Sequence, residues 1–445
     1  MRNDSVAVQE EDTYAIMNPT DIDNKYKWWR CRIFAVTWVT YAAYYFTRKS
    51  FSVAKVGIIA DSSISISNQA MGNIDALFLT AYAVGQFVFG VLADKYGTRR
   101  LVFAGLLLSS IVSIATGFSS SVILIGSLMF IQGLCQSTGW APLSETIGCW
   151  FSRKERGKVF GFWCTNYAVG GVAAAFFLGF MATHIFKDWR WSFFAPAFVT
   201  IPVCIIFFLL HRNKPEDAGL PPIEEYQQHK IDLQEQEASS PSDASWSWRI
   251  SREIMTNPII LVLGLIYFLY KPIRYSILFW GPAIISQRLG ISDMALVAVV
   301  VVSFEAAGVI GSIAAGIVSD KLFNSRRIPV CVICLTLLSI VLFFFNPLTS
   351  GENIVSVTVL LGIMGILYYG PDTIISSTAA VDFGTKSGAS TATGFVNGLG
   401  SIGAIFGGLL PGYIENKTLL FSGYATVMLI CAVLLIPFWN RIPRD

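Results

Sequence analysis

Apolar runs of about twenty residues, the length an α-helix needs to cross a hydrocarbon core of about 30 Å, recur along the whole chain and are separated by short polar breaks. Hydropathy places six such helices near residues 31–58, 71–93, 100–118, 122–148, 158–183 and 192–211. Six more fall near 257–286, 294–318, 328–346, 353–380, 388–413 and 419–438. The stretch between the two sets, 212–255, is polar, charged and Ser/Pro-containing, with no apolar period. The expected fold is therefore an all-α membrane protein of twelve transmembrane helices in two six-helix bundles. Its expected parts are a tail (1–30), an N-terminal bundle (31–211), a linker (212–255), a C-terminal bundle (256–438) and a second tail (439–445).

Two interruptions of the apolar pattern repeat. Tyr41-Ala-Ala-Tyr-Tyr-Phe-Thr-Arg-Lys-Ser-Phe51 sets a cation pair inside the first run. At an offset of 226 residues, Tyr267-Phe-Leu-Tyr-Lys-Pro-Ile-Arg-Tyr275 does the same in the seventh, so that Tyr41, Tyr44 and Arg48 map onto Tyr267, Tyr270 and Arg274. The same offset carries Gly90-Val-Leu-Ala-Asp94-Lys95 onto Gly316-Ile-Val-Ser-Asp320-Lys321. One shift aligning two separate features implies parallel halves related by an axis along the membrane normal, an arrangement that places a substrate site near mid-depth at their interface. Arg48 and Arg274 would then face each other. Pro272, beside Lys271 and Arg274, is expected to kink its helix locally.

Composition agrees with the pattern: charged residues are 14% of the 445, where soluble domains have about 25%, and the mean hydropathy is +0.58. Basic residues sort by side. With the N-terminus cytoplasmic, 23 of the 32 lie in the tails, counting Arg32 at the start of the first helix, the linker and the loops 94–100, 153–158, 320–327 and 383–387. Lys187, Arg190, Arg288 and Lys417 lie opposite, and Arg48, Lys49, Lys55, Lys271 and Arg274 fall within spans. Both termini are expected in the cytoplasm. Residues 1–27 have no secretory-signal pattern, so the first helix is expected to direct insertion. The eight cysteines sit in or beside apolar runs and read as packing residues, the Cys331/Cys334 pair included. Glycines at 394 and 398, at 403 and 407, and at 170 and 171 read as close-packing positions.

The chemistry concentrates on the two arginines. A guanidinium in a membrane helix costs about 2.5–3.5 kcal/mol on insertion scales and therefore faces a cavity or a partner. Its planar fork binds a phosphoryl group through two parallel hydrogen bonds, which lysine cannot reproduce. Tyr41, Tyr44 or Tyr45, Arg48, Ser52 and Lys55 share one helix face. Asp75, Glu145, Glu305 and Asp372 are the acids available to pair with the five buried cations, which leaves room for an anion. Lys55 could instead extend its amine outward. Glu305 is a candidate for charge balance or proton transfer, whereas His184, His211 and His229 lie at helix ends or in the linker. The loops carrying Asp94, Arg99, Arg100, Asp320 and Arg326 are candidate gating contacts. An enzyme is not expected, because no nucleophile, metal cluster or phosphate-binding glycine loop appears in its required context.

The paired Gly-xxx-Asp-Lys loops over twelve helices resemble the major facilitator superfamily. More narrowly, Tyr41-Ala-Ala-Tyr-Tyr-Phe-Thr-Arg-Lys49, Gly139-Trp140-Ala-Pro142, Lys154-Glu-Arg-Gly157 and Gly219-Leu-Pro-Pro-Ile-Glu-Glu-Tyr226 resemble the organophosphate:phosphate antiporters. The resemblance implies that Arg48 and Arg274 bind the phosphoryl group. It gives Lys49, Tyr41, Tyr45, Tyr82, Trp140 and Tyr369 as neighbours and implies obligatory exchange with inorganic phosphate by rocking of the halves. Glycerol-phosphate carriers have a fifth-helix histidine where Tyr167 stands here and a second-helix lysine where Gln86 stands. Lys55 and Lys271 instead add charge near the arginines. These departures favour a sugar phosphate such as hexose-6-phosphate over glycerol-3-phosphate. The alternatives are a membrane sensor for external hexose phosphate, with a signalling partner, and a proton-coupled organic-anion symporter using Glu305. The expectation is a monomer in a bacterial inner membrane, with no cofactor, no metal and no nucleic-acid partner.

Overall fold

The computed structural model describes residues 19–61, 66–151, 159, 162–223, 226, 256–323, 326–349, 353–378 and 389–440. Twelve long helical segments run through these residues. In the first half they are α1 (Pro19–Ala60), α2 (Asn68–Tyr96), α3 (Thr98–Phe118), α4 (Val122–Trp150), α5 (Thr165–Ile185) and α6 (Trp191–Leu210). In the second half they are α7 (Pro258–Leu289), α8 (Met294–Leu322), α9 (Arg327–Leu348), α10 (Ile354–Thr373), α11 (Ala389–Tyr413) and α12 (Lys417–Leu435). Ten of these helices are long and apolar enough to cross a membrane. The other two, α1 and α2, carry Arg48, Lys49, Lys55 and Asp75. The chain is a multi-pass integral membrane protein.

Four of the six helices that enter from the face opposite the termini start on short side-chain caps. Ser67 accepts from the Ala70 amide, Asp293 from Ala295 and Leu296, Asn353 from Val355, and Asn416 from Thr418 and Leu419. Each cap satisfies an amide that the first helical turn leaves without a carbonyl. Two helices are irregular, α4 along its length and α5 at its end. In α4 the helix is interrupted at Thr138-Gly139, and there α1 comes close: a Cβ on Gly139 would lie 3.1 Å from the Tyr44 ring. α5 ends in a π-turn, Met181–Ile185. α7 continues as helix through both Pro272 and Pro282.

The halves meet between mid-depth and the face opposite the termini. α2 packs on α11 so closely that a Cβ on Gly412 would lie 2.5 Å from the Asn68 carbonyl oxygen, and one on Gly408 would lie 2.8 Å from Asp75 Cβ. Tyr413 donates to Asn73 at 2.9 Å at the rim of this contact. On the other side α5 packs on α8, where a Cβ on Gly179 would lie 2.8 Å from Ala295 Cα, and the Met294 amide donates to Thr183 Oγ1. Between these seams α1 touches α7: Ser52 Oγ donates to the carbonyl of Leu278 at 2.8 Å, two positions that the 226-residue offset makes equivalent. This contact lies where a two-fold relation of the halves requires it.

On the terminal face α1 starts at Pro19, beyond the apolar run that began the first span. Its extra turns hold the beginning of the linker: Tyr26 donates to the Pro221 carbonyl and stacks on the Tyr226 ring, while Tyr226 donates to Asp23. Residues 1–18, the loops 153–158 and 383–387, the linker beyond Tyr226 and the tail from Arg441 lie outside the described residues. Gly403 and Gly407 do pack α11 onto α7, whereas Gly398 has no atom within 4 Å of an added Cβ.

Candidate functional site

Arg48 is positioned by a polar network inside the first half. Gln136 of α4 donates to the Tyr44 carbonyl at 3.2 Å, to Thr47 Oγ1 at 2.6 Å and to Ser109 Oγ at 3.1 Å, which fixes its amide. Its oxygen is left facing α1 and accepts from Arg48 Nε at 3.1 Å. The guanidinium lies over the Tyr45 and Tyr82 rings, 4.8 and 4.9 Å from their centroids. Its Nη2 is shielded from solvent and has no hydrogen-bond partner among the described residues. A buried donor left unmet costs about 1–3 kcal/mol, and more when charged, so this atom marks a place for an acceptor.

Arg274 repeats the arrangement with one difference. Its guanidinium lies between the Tyr167 and Tyr369 rings, at 5.4 and 5.0 Å, and its Nε has no partner among the described residues. Here a carboxylate, Asp372 of α10, lies 3.9 Å away. Asp372 also lies 3.7 Å from Lys271 and accepts from the Tyr267 hydroxyl at 3.1 Å. Across the boundary between halves, Lys49 of α1 lies 3.5 Å from Glu305 of α8. Arg48, Lys49, Lys271 and Arg274 against Glu305 and Asp372 leave two positive charges unmatched, the charge of one phosphate dianion.

The structure therefore brings together Arg48, Arg274, Lys49, Lys271, Tyr45, Tyr82, Tyr167, Tyr369 and Glu305. Tyr41 and Trp140 form an aromatic floor beside them: the Tyr41 ring is 5.2 Å from Trp140 and 5.8 Å from Trp163. Tyr44 turns away into the first half, where its hydroxyl is 2.8 Å from Thr138 Oγ1. Lys55 does not reach outward. It is fully buried, ion-paired with Asp75, 3.1 Å from the Phe279 carbonyl and 4.1 Å from the centre of the Trp280 ring.

Among the gating candidates, Arg99 stays within the first half, donating from Nε to the Phe208 carbonyl, and Arg326 lies 3.3 Å from Asn440 in the second. Arg100 is exposed, and the side chains of Asp94 and Asp320 lie outside the described residues. His184 and His211 are remote from Arg48 and Arg274, and His229 lies outside the described residues. His211 is buried beyond the end of α6 against Thr146, and burial, with Arg99 and Arg212 nearby, pushes it down to about 3. His184 instead pairs with Asp293 at 3.3 Å across the α5–α8 seam.

Sequence reasoning did not single out Gln136 or Asn166, and it took Tyr267 only as the counterpart of Tyr41 in the repeat. Asn166 precedes Tyr167, is fully buried, and has neither amide atom paired among the described residues. A polar residue in an apolar run was the available signal, but it does not say which neighbour the residue meets.

The model of the Major Facilitator Superfamily matches residues 37–408. The chain is 31% identical over 436 residues to the membrane sensor protein UhpC of Salmonella typhimurium, covering 97% of this chain and 96% of that protein. It is 29% identical over 437 residues to a probable hexose phosphate transport protein of Chlamydia pneumoniae, covering 95% and 94%. Among solved structures, a bacterial homologue of the human lysosomal transporter Spinster, in an inward-facing and unoccupied conformation, superposes with a TM-score of 0.68. It shares 16% identity over 92% of this chain and 95% of that one, a likeness of fold.

Proposed function

The chain belongs to the organophosphate:phosphate antiporter family of the major facilitator superfamily, a family of transporters rather than enzymes, and from that premise we propose that it exchanges an organophosphate for inorganic phosphate by alternating access. The observation that carries the proposal is the pair of buried guanidiniums, Arg48 and Arg274, each with a donor that no described residue satisfies. A tetrahedral phosphoryl group between them would accept from both and match the two unpaired positive charges.

Exchange follows from the same charge count. With the site empty, like charges face each other where the dielectric constant is low, and occluding them is costly. Phosphate or a phosphate monoester removes that cost, so the loaded protein is the one that crosses between states. The organic part is proposed to be a sugar, as in hexose-6-phosphate, with Tyr167, Lys271 and Tyr41 beside the phosphoryl position. Both termini are placed in the cytoplasm of a bacterial inner membrane on the asymmetry of basic residues. On that orientation the sealed face is external, and the protein is proposed to act as a monomer.

A second reading, a hexose phosphate sensor, is favoured by the 31% identity to a protein of that name. Uptake of labelled phosphate into phosphate-loaded proteoliposomes separates the two. Uptake that requires internal phosphate and is inhibited by glucose-6-phosphate more strongly than by glycerol-3-phosphate supports the antiporter. Tight binding of glucose-6-phosphate without flux would leave the sensor.

A further inference from the structure

A second cationic site lies on the terminal face, away from the central arginines. Arg32 of α1 stands one turn from Trp28 and Trp29, and its guanidinium lies over both rings, at 4.9 and 4.5 Å. Arg212, just beyond α6, approaches the same Trp29 ring at 5.9 Å, so two like charges converge on one indole and repel each other. Arg99 at the start of α3 extends this repulsive chain from Arg212 to Arg100.

Among the described residues, Asp23 and Asp217 do not neutralise the pair. Asp23 is taken by Lys27 at 2.7 Å and by Tyr226, and Asp217 accepts from the amides of Asn213 and Lys214. Arg32 Nε is shielded from solvent and has no hydrogen-bond partner among the described residues.

The surroundings say which anion fits. Ile205, Ile206 and Leu209 on the last turns of α6 are exposed apolar residues, so Arg212 stands directly above a lipid-facing helix surface. Trp28 is 57% exposed beside Arg32, in the manner of tryptophans that sit at headgroup depth. Basic clusters at the cytoplasmic end of membrane helices attract anionic headgroups. We propose that Arg32 and Arg212, with Trp28 and Trp29, form a binding site for the phosphodiester headgroup of an anionic phospholipid. The guanidiniums hold the phosphodiester, Arg32 Nε supplies one of the donors, and the acyl chains lie along Ile205, Ile206 and Leu209. The bound lipid relieves the repulsion between α1 and the end of α6. This site is independent of the transported substrate.

The test uses the full-length protein in phosphatidylcholine vesicles containing either dibrominated phosphatidylglycerol or dibrominated phosphatidylcholine at equal mole fraction. The Trp28 signal is taken as the fluorescence difference from a Trp28→Phe variant. Phosphatidylglycerol is expected to quench it about twofold or more beyond phosphatidylcholine. An Arg32→Gln/Arg212→Gln variant is expected to lose that excess, and added glycerol phosphate is expected to leave it unchanged. Equal quenching of the unmodified protein by the two lipids would overturn the proposal without recourse to any arginine variant. Persistence of the excess in the double variant would overturn the assignment to these arginines. Abolition of the excess by glycerol phosphate would assign the site to a soluble anion instead of a lipid.

Discussion

Glu305 of α8 reaches across the boundary between the halves to Lys49 of α1, 3.5 Å away, one position after Arg48. The pair is buried on both sides, and it joins elements that must separate when the central site opens to the other face. In the proposed antiporter Glu305 lowers the positive charge of the empty site while coupling the two halves.

Replacing Glu305 with Gln is expected to raise the unmatched charge of the site from two to three. Phosphate should bind at least as tightly, while exchange slows roughly tenfold because release leaves more repulsion behind, a change of about 1.4 kcal/mol. Equilibrium binding and counterflow rates on the same preparation check this. Unchanged rates would remove Glu305 from charge balance. A rate that becomes independent of pH only in the variant would assign it to proton transfer.

Lys55 and Asp75 form a second buried pair, displaced from the arginines toward the sealed face. Removing one partner strands a charge, which costs about 3–5 kcal/mol, whereas removing both with apolar residues of similar size can be neutral. Asp75→Asn is expected to lower the unfolding midpoint in detergent, and Lys55→Met/Asp75→Leu to recover most of it. A single variant as stable as the double would show that the pair is structurally dispensable.

The seal itself is a glycine contact. A side chain at Gly412 would meet the Asn68 carbonyl and Gly72 of α2, backbone atoms that cannot turn aside. Gly412→Leu is expected to hold α2 and α11 apart and shift the protein toward the outward-open state. Spin-label distances between α2 and α11 near Asn73 and Tyr413 should lengthen. Distances unchanged from the unmodified protein would show that the seam yields elsewhere.

Much of this arrangement was legible in the sequence. The 226-residue offset located Arg48 and Arg274, and Ser52 donating to Leu278 at that same separation shows the symmetry in a single bond. An arginine in an apolar run is a strong signal because its cost demands a reason. Pairings between elements were less legible. Helical spacing set Lys55 on the same face as Arg48, but its capture by Asp75 depends on how α2 lies against α1. Gln136 is one polar residue among several in α4, and only the break at Thr138-Gly139 and the hydroxyls of Thr47 and Ser109 show why it meets Arg48. The linker motif ending at Tyr226 marked the family but not its docking on Tyr26, a contact between residues 200 positions apart.

The central claim is that both guanidiniums hold the phosphoryl group. Phosphate self-exchange in proteoliposomes, measured for Arg48→Lys and Arg274→Lys at matched incorporation, tests it most directly. Lysine keeps the charge and loses the fork, so each variant is expected to fall by about a hundredfold or more in exchange while remaining folded in the bilayer. Near-normal exchange by either variant would contradict a two-arginine phosphate site.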